Sequence, residues 1–89
     1  MKVEFSKSFD SQTERISDKN TLRRIGNIIK KVIVCSSLSE ISNIKPIKGY
    51  AGYYRIRMGE YRIGISLEGD IVWFHFFGKR SESTYKKFP

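Results

Sequence analysis

Apolar residues recur at intervals of three and four along the first half of the chain, and at every second position from Tyr53 onward. This change of period predicts helices followed by strands. Val3 and Phe5 alternate with Lys2, Glu4 and Ser6, which suits a short first strand. Ser6 or Ser8 is placed to cap a helix running to about Ser17, with Phe9, Thr13 and Ile16 inward. Asp18 or Asn20 would cap a stronger helix, whose face is Leu22, Ile25, Ile28, Ile29, Val32 and Ile33. Leu38, Ile41 and Ile44 then fit one helical turn, stopped by Pro46.

The later segments predict a three-strand meander. Tyr54, Ile56 and Met58 share one face of a strand; Tyr53, Arg55 and Arg57 share the other. Gly59-Glu60 suits a two-residue hairpin turn with glycine first. That turn sets Met58 opposite Tyr61, Arg57 opposite Arg62, Ile56 opposite Ile63 and Arg55 opposite Gly64. A second two-residue turn at Glu68-Gly69 would set Ile65 opposite Val72, Ile63 opposite Phe74 and Tyr61 opposite Phe76. Arg62 would then face His75, and Gly64 would face Trp73. Residues 70–77 read as a central strand, and the last residues as a short helix or tail. The expected class is α+β, in the order β-α-α-β-β-β, with two helices on one face of a small, mainly antiparallel sheet. The length implies one domain over residues 1–89.

Charge sharpens this picture without locating a site. Seventeen Lys and Arg against nine Asp and Glu give a net charge of +8, which points to a polyanionic partner. The excess is spread: residues 1–44 hold 8 basic and 5 acidic residues, and residues 45–89 hold 9 and 4. Arg23, Arg24, Lys30 and Lys31 lie mostly off the apolar helix face, suiting either a solvated surface or a nucleic-acid contact. Cys35 is the one cysteine, so neither an internal disulfide nor a multi-cysteine zinc site is possible. The first residues lack the apolar run of a signal peptide, and no segment reaches the length of a membrane span. A cytoplasmic protein is the expectation.

The register concentrates Arg55, Arg57 and Arg62 on the face away from the helices, with His75, Trp73 and Tyr53 nearby and Gly64 leaving space beside Arg55. Guanidinium forks match phosphate oxygens, and aromatic rings stack on unpaired bases. One histidine and scattered carboxylates make no metal-ligand set, and no phosphate-binding glycine motif occurs. No cofactor is expected. RNA can be cleaved without metal by its own 2′-hydroxyl, provided that the protein stabilises the added negative charge and moves two protons.

The run "IKPIKGYAGYYRIRMGEYRIGI", the element order and the ending "FFGKRSESTYKKFP" resemble the RelE/ParE superfamily of toxins from type II toxin–antitoxin systems. The resemblance spans nearly the whole chain. It implies a cognate antitoxin and, in the RelE-like branch, ribosome-dependent cleavage of mRNA. The ParE-like branch poisons DNA gyrase instead, and a non-catalytic RNA- or antitoxin-binding module is a further alternative. Carried over residue by residue, the RelE-like pattern makes Arg55, Arg57, Arg62 and Arg80 phosphate-binding and Tyr85 a stacking residue. Lys48, Tyr53, Trp73, Lys79, Lys86, Lys87, Lys30 and Lys31 are candidate RNA contacts.

The chain departs from that pattern by placing arginines where it has lysines at the first two basic positions. Arginine stays protonated and is a poor base. The proton acceptor would then be His75, or else Lys79, Tyr85, Glu60, water or ribosomal RNA. A structural role for His75 is the competing reading.

Overall fold

A computed structural model describes residues 1–81 and residue 88. The elements are β1 (Lys2–Phe5), α1 (Lys7–Glu14), α2 (Lys19–Val34), β2 (Ile44–Pro46), β3 (Tyr53–Met58), β4 (Tyr61–Glu68) and β5 (Ile71–Lys79). A 3₁₀ turn, Leu38–Glu40, lies between α2 and β2. The sheet order is β1-β5-β4-β3-β2, with β1 parallel to β5 and the other pairs antiparallel. The expected C-terminal helix or tail falls mostly outside the described residues.

Polar side chains at the helix starts set where the helices begin. Ser6 Oγ accepts from Phe9 N–H, and Asp18 accepts from the N–H groups of Asn20 and Thr21. The Thr21 hydroxyl also donates to Asp18 at 2.6 Å. That bond foremost, with smaller help from the backbone and Arg24, holds the Asp18 carboxyl below its usual pKa. Helix α1 ends at Glu14, shorter than expected. Ile25 and Val32 of α2 are buried, whereas Leu22 and Ile33 remain exposed at the margins of its apolar face. Cys35 is buried, with its thiol donating to Val32 O, and acts as a small core residue.

The segment after α2 departs from the helical expectation. A capping box of Ser37 and Glu40 closes one 3₁₀ turn. Asn43 then takes a left-handed conformation, φ +62°, and the chain enters edge strand β2. Asparagine tolerates that conformation better than most residues, and proline is acceptable at an edge where no ladder N–H is required. Ile44 pairs with Ile56, Lys45 with Arg55 and Pro46 with Tyr54.

The β3–β4 register is the expected one, with Arg57 opposite Arg62 and Arg55 opposite Gly64. Gly59 alone supplies the positive φ of its turn, +62°, as a glycine-first hairpin turn requires. The second turn repeats this chemistry: Gly69, φ +64°, occupies the first central position, so the turn is Gly69-Asp70 rather than Glu68-Gly69. Partners consequently move by two, to Leu67 with Val72 and Ile65 with Phe74. An even shift preserves the faces, so Trp73 stays on the open side, opposite Ser66.

A bulge then breaks the ladder between Gly64 and Ile65, leaving His75 as an extra residue on β5. Beyond it Phe77 pairs with Ile63 and enters the core, while Phe76 pairs with Gly64. The expected pairs Tyr61–Phe76 and Arg62–His75 are therefore replaced by Tyr61–Lys79 and Arg62–Gly78. Strand β1 ends at Phe5, and α1 takes over the backbone of β5 beyond Phe74. Ser6 Oγ donates to His75 O at 3.2 Å, and Gln12 Oε1 accepts from Phe77 N–H at 2.8 Å.

The gap at Gly64 is filled. The Phe88 ring lies over it, 2.5 Å from the place a Cβ would occupy, in ring contact with Tyr53, His75 and Phe76. Gly64→Ala should displace Phe88 and cost about 1–3 kcal/mol, the usual range for overpacking. In a Phe88→Ala background the same substitution should be nearly neutral; denaturant melts of the four proteins in this double-mutant cycle measure the coupling.

Candidate nucleic-acid interface

The alternation of β3 brings Arg55 and Arg57 to the open face, and the tight hairpin places Arg62 opposite Arg57. Arg80 follows β5, with its N–H bonded to Glu60 O at 3.0 Å. Strand β2 adds Lys45 opposite Arg55. Together with Asn43 and Pro46, these cations line a cleft of about 370 Å³. Among the described residues no Asp or Glu lines it. The nearby carboxylates are engaged elsewhere: Glu60 lies 3.9 Å from Lys79 Nζ, and Glu68 accepts from Ser66 Oγ at 3.3 Å.

Arg62 folds toward the turn, its Nη1 donating to Gly59 O and Tyr61 O at 2.8 Å each. This fixes one guanidinium relative to the hairpin without a carboxylate. Two unit charges about 4 Å apart repel by about 1 kcal/mol in water-like surroundings. The cluster thus carries a modest electrostatic cost that a bound anion would reverse.

Beside the cleft runs a row of rings. His75 lies between Trp73 and Tyr53, with centroid separations of 6.3 and 6.1 Å and interplanar angles of 21° and 25°. Phe88 closes the row against the cleft side, since Gly64 beneath it is the partner of Arg55. Tyr50 meets Tyr53 edge-on at the far end. Rings set nearly parallel on a sheet face form a surface on which unpaired bases can stack.

His75 is half-buried, and its Nε2 lies 2.7 Å from Ser66 Oγ. When the Ser66 hydroxyl donates to Glu68, it accepts from a protonated Nε2, which leaves Nδ1 as the basic nitrogen. Burial pushes the imidazole pKa down, and the Glu68 charge partly opposes this. Both the direction of the shift and its cause favour the neutral ring at pH 7.

The structure brings together Arg55, Arg57, Arg62 and Arg80, and places Tyr53 and Trp73 on the adjoining row. It does not set His75 across from Arg62: Gly78 takes that place, three residues along β5, or roughly 10 Å. Lys48 is exposed in the β2–β3 loop, Lys79 pairs with Glu60, and Lys30 is exposed on α2. Lys31 belongs to a second cleft. Tyr85, Lys86 and Lys87 lie outside the described residues. Lys45 and Phe88 are additional site residues. Reading Ile44-Lys45-Pro46 as an edge strand would have signalled the first; no periodicity marked the second.

No protein-family model matches the chain. It is 41% identical to Toxin RelE3 of Methanocaldococcus jannaschii, over the full length of both proteins. The crystal structure of the RelB–RelE antitoxin–toxin complex from Methanococcus jannaschii contains a chain 39% identical, with a TM-score of 0.80, covering 96% of this chain and 98% of that one. The Escherichia coli DinJ–YafQ complex shares the fold at 15% identity, with a TM-score of 0.60 and coverage of 89% and 92%. No helix among the described residues is long and apolar enough to cross a membrane.

Because His75 has a lowered pKa in the folded protein, the unfolded chain takes up the proton first as pH falls. The His75 contribution to stability should be complete above about pH 6.5, the usual histidine value, and should diminish as pH falls below it. Thermal melts across pH 5–8 should show this loss in the wild type and a smaller one in His75→Gln.

Proposed function

The chain belongs to the RelE family of toxins, and on that premise we propose that it is a ribosome-dependent mRNA endoribonuclease that cuts codons in the ribosomal A site. The observation that carries this reading is the cleft of four arginines and Lys45, with no carboxylate among its described lining residues, beside a row of near-parallel rings. The cleft suits a phosphodiester, and the row suits the bases of a single strand.

In the proposed reaction the 2′-hydroxyl of a ribose attacks the adjacent phosphorus. The 2′-oxygen loses a proton, the bond from phosphorus to the 5′-oxygen breaks, and that oxygen gains a proton. The products are a 2′,3′-cyclic phosphate and a 5′-hydroxyl. Arg55, Arg57, Arg62 and Arg80 stabilise the extra charge of the phosphorane, a role suited to permanently protonated donors. His75, neutral at pH 7 with Nδ1 available in the tautomer described above, is the proposed acceptor of the 2′-proton. A strand crossing from the cleft onto the aromatic row would reach it. Tyr85 would stack on the substrate, while Lys30, Lys48, Lys79, Lys86 and Lys87 would contact ribosomal or messenger RNA. A cognate antitoxin would inhibit by covering the arginine cleft, in keeping with the relative that forms a RelB–RelE complex.

Primer extension on mRNA in a translating extract should show codon-phased cuts. Intact mRNA with accumulating cleaved DNA–gyrase complexes would overturn this reading. Arg62→Ala should lower single-turnover cleavage by about 10²–10³, as expected for loss of one transition-state donor. Its stability should be unchanged or slightly higher, because repulsion with Arg57 is relieved.

A further inference from the structure

On the helix side of the β3–β4 hairpin lies a second cleft, of about 260 Å³. Helix α2 contributes Arg24, Asn27 and Lys31, which share one face at spacings of three, four and seven residues. The opposite wall is formed by Arg57, Met58 and Gly59, and Asn43 lines the end. Arg24 is half-buried, with its guanidinium laid on the hairpin turn and Nη2 3.1 Å from where a Gly59 Cβ would stand. It therefore does not project freely into solvent like an ordinary surface arginine. As in the arginine cleft, no Asp or Glu is among the described lining residues.

The two clefts abut. Arg57 and Asn43 line both. Asn43 holds the junction in its left-handed conformation, and its carbonyl accepts from Arg57 N–H at 3.0 Å. We infer that the Arg24–Lys31 cleft is a second phosphate subsite, which takes a neighbouring phosphodiester of the same RNA strand whose scissile phosphate occupies the arginine cleft. The inference rests on the proposed reading of the first cleft as an RNA site. A strand repeats its phosphate at a fixed interval, so adjacent anion sites sharing a guanidinium match it better than they match isolated acidic side chains of a folded partner. Amide groups from Asn27 and Asn43 supply neutral hydrogen-bonding capacity for ribose and phosphate oxygens.

The test uses two fluorescent 2′-O-methyl oligonucleotides that cannot be cut: a dinucleotide with one phosphodiester and a hexanucleotide. Binding is titrated at several salt concentrations with the wild type and with Arg24→Gln/Lys31→Gln. Each phosphate contact on a single strand contributes about 0.7 to the slope of log K against log salt. The double variant should lose about that much slope with the hexanucleotide and none with the dinucleotide, whereas Arg24→Lys should retain the wild-type slope. Lys31→Glu, which leaves the Arg24 packing on Gly59 intact, should weaken hexanucleotide binding if the double variant folds poorly. Equal hexanucleotide slopes in wild type and folded variant, or no RNA binding by the wild type, would overturn the inference. Unchanged RNA binding with weakened antitoxin affinity would also overturn it and make the cleft a protein contact. If the slopes differ but translating extracts show no codon-phased cuts, the subsite stands and the proposed nuclease activity fails. Phased cuts with equal slopes give the reverse.

Discussion

One extra residue in β5 decides where the rings of His75, Phe76 and Phe77 lie. The ladder loses its register between Gly64 and Ile65, and His75 has no ladder partner on β4. Phe77 is thereby turned into the core against Ile63, Phe76 becomes the cross-strand partner of Gly64, and the imidazole joins Trp73 and Tyr53. Beyond the end of β1 at Phe5, the backbone of β5 finds partners in Ser6, the cap of α1, and in Gln12. A helix whose exposed side looks unremarkable in sequence is thus tied by hydrogen bonds to the strand that carries the histidine. Phe88 completes the arrangement, and only glycine at position 64 leaves room for its ring.

Beside this aromatic surface the sheet holds like charges at close quarters. Arg57 and Arg62 face each other because the hairpin register permits nothing else while Ile56 and Ile63 are buried. The apolar side sets the register, and the arginines follow. Solvent keeps their repulsion small, and Arg62 is partly settled by carbonyls of the turn. With no carboxylate among the described lining residues, the arrangement remains receptive to an external anion.

How much of this was readable in the sequence depended on how local each cause was. Gly59-Glu60 fixed one hairpin through a single backbone requirement, and Arg55, Arg57 and Arg62 could be placed from it; Arg80 was reached only through the family resemblance. The second turn was misplaced by one residue, and the register by two, because both Glu68-Gly69 and Gly69-Asp70 contain a glycine; the parity survived, so Trp73 kept its face. The bulge left no local mark, since "WFHFF" is apolar in either register and its irregularity is settled by Gly64, Phe88 and α1 acting together. Strand β2 was hidden because Leu38, Ile41 and Ile44 have helical spacing, although Asn43 turns the chain before Ile44 is reached. Lys45 was missed with it. The aromatic and basic character of the site was therefore legible, whereas the position of His75 relative to Arg62 required tertiary contacts.

The parallel pairing of β1 with β5 joins the beginning of the described chain to its last strand. Such a pairing closes a very long loop before it returns any stabilisation. During synthesis, the helices and the β3–β4 hairpin can form while β5 is still missing, but the sheet cannot. Arg80 follows that same strand, so the arginine cleft is completed only after β5 has been made. Until then a growing chain carries Lys45, Arg55, Arg57 and Arg62 without the fourth arginine that closes the cleft.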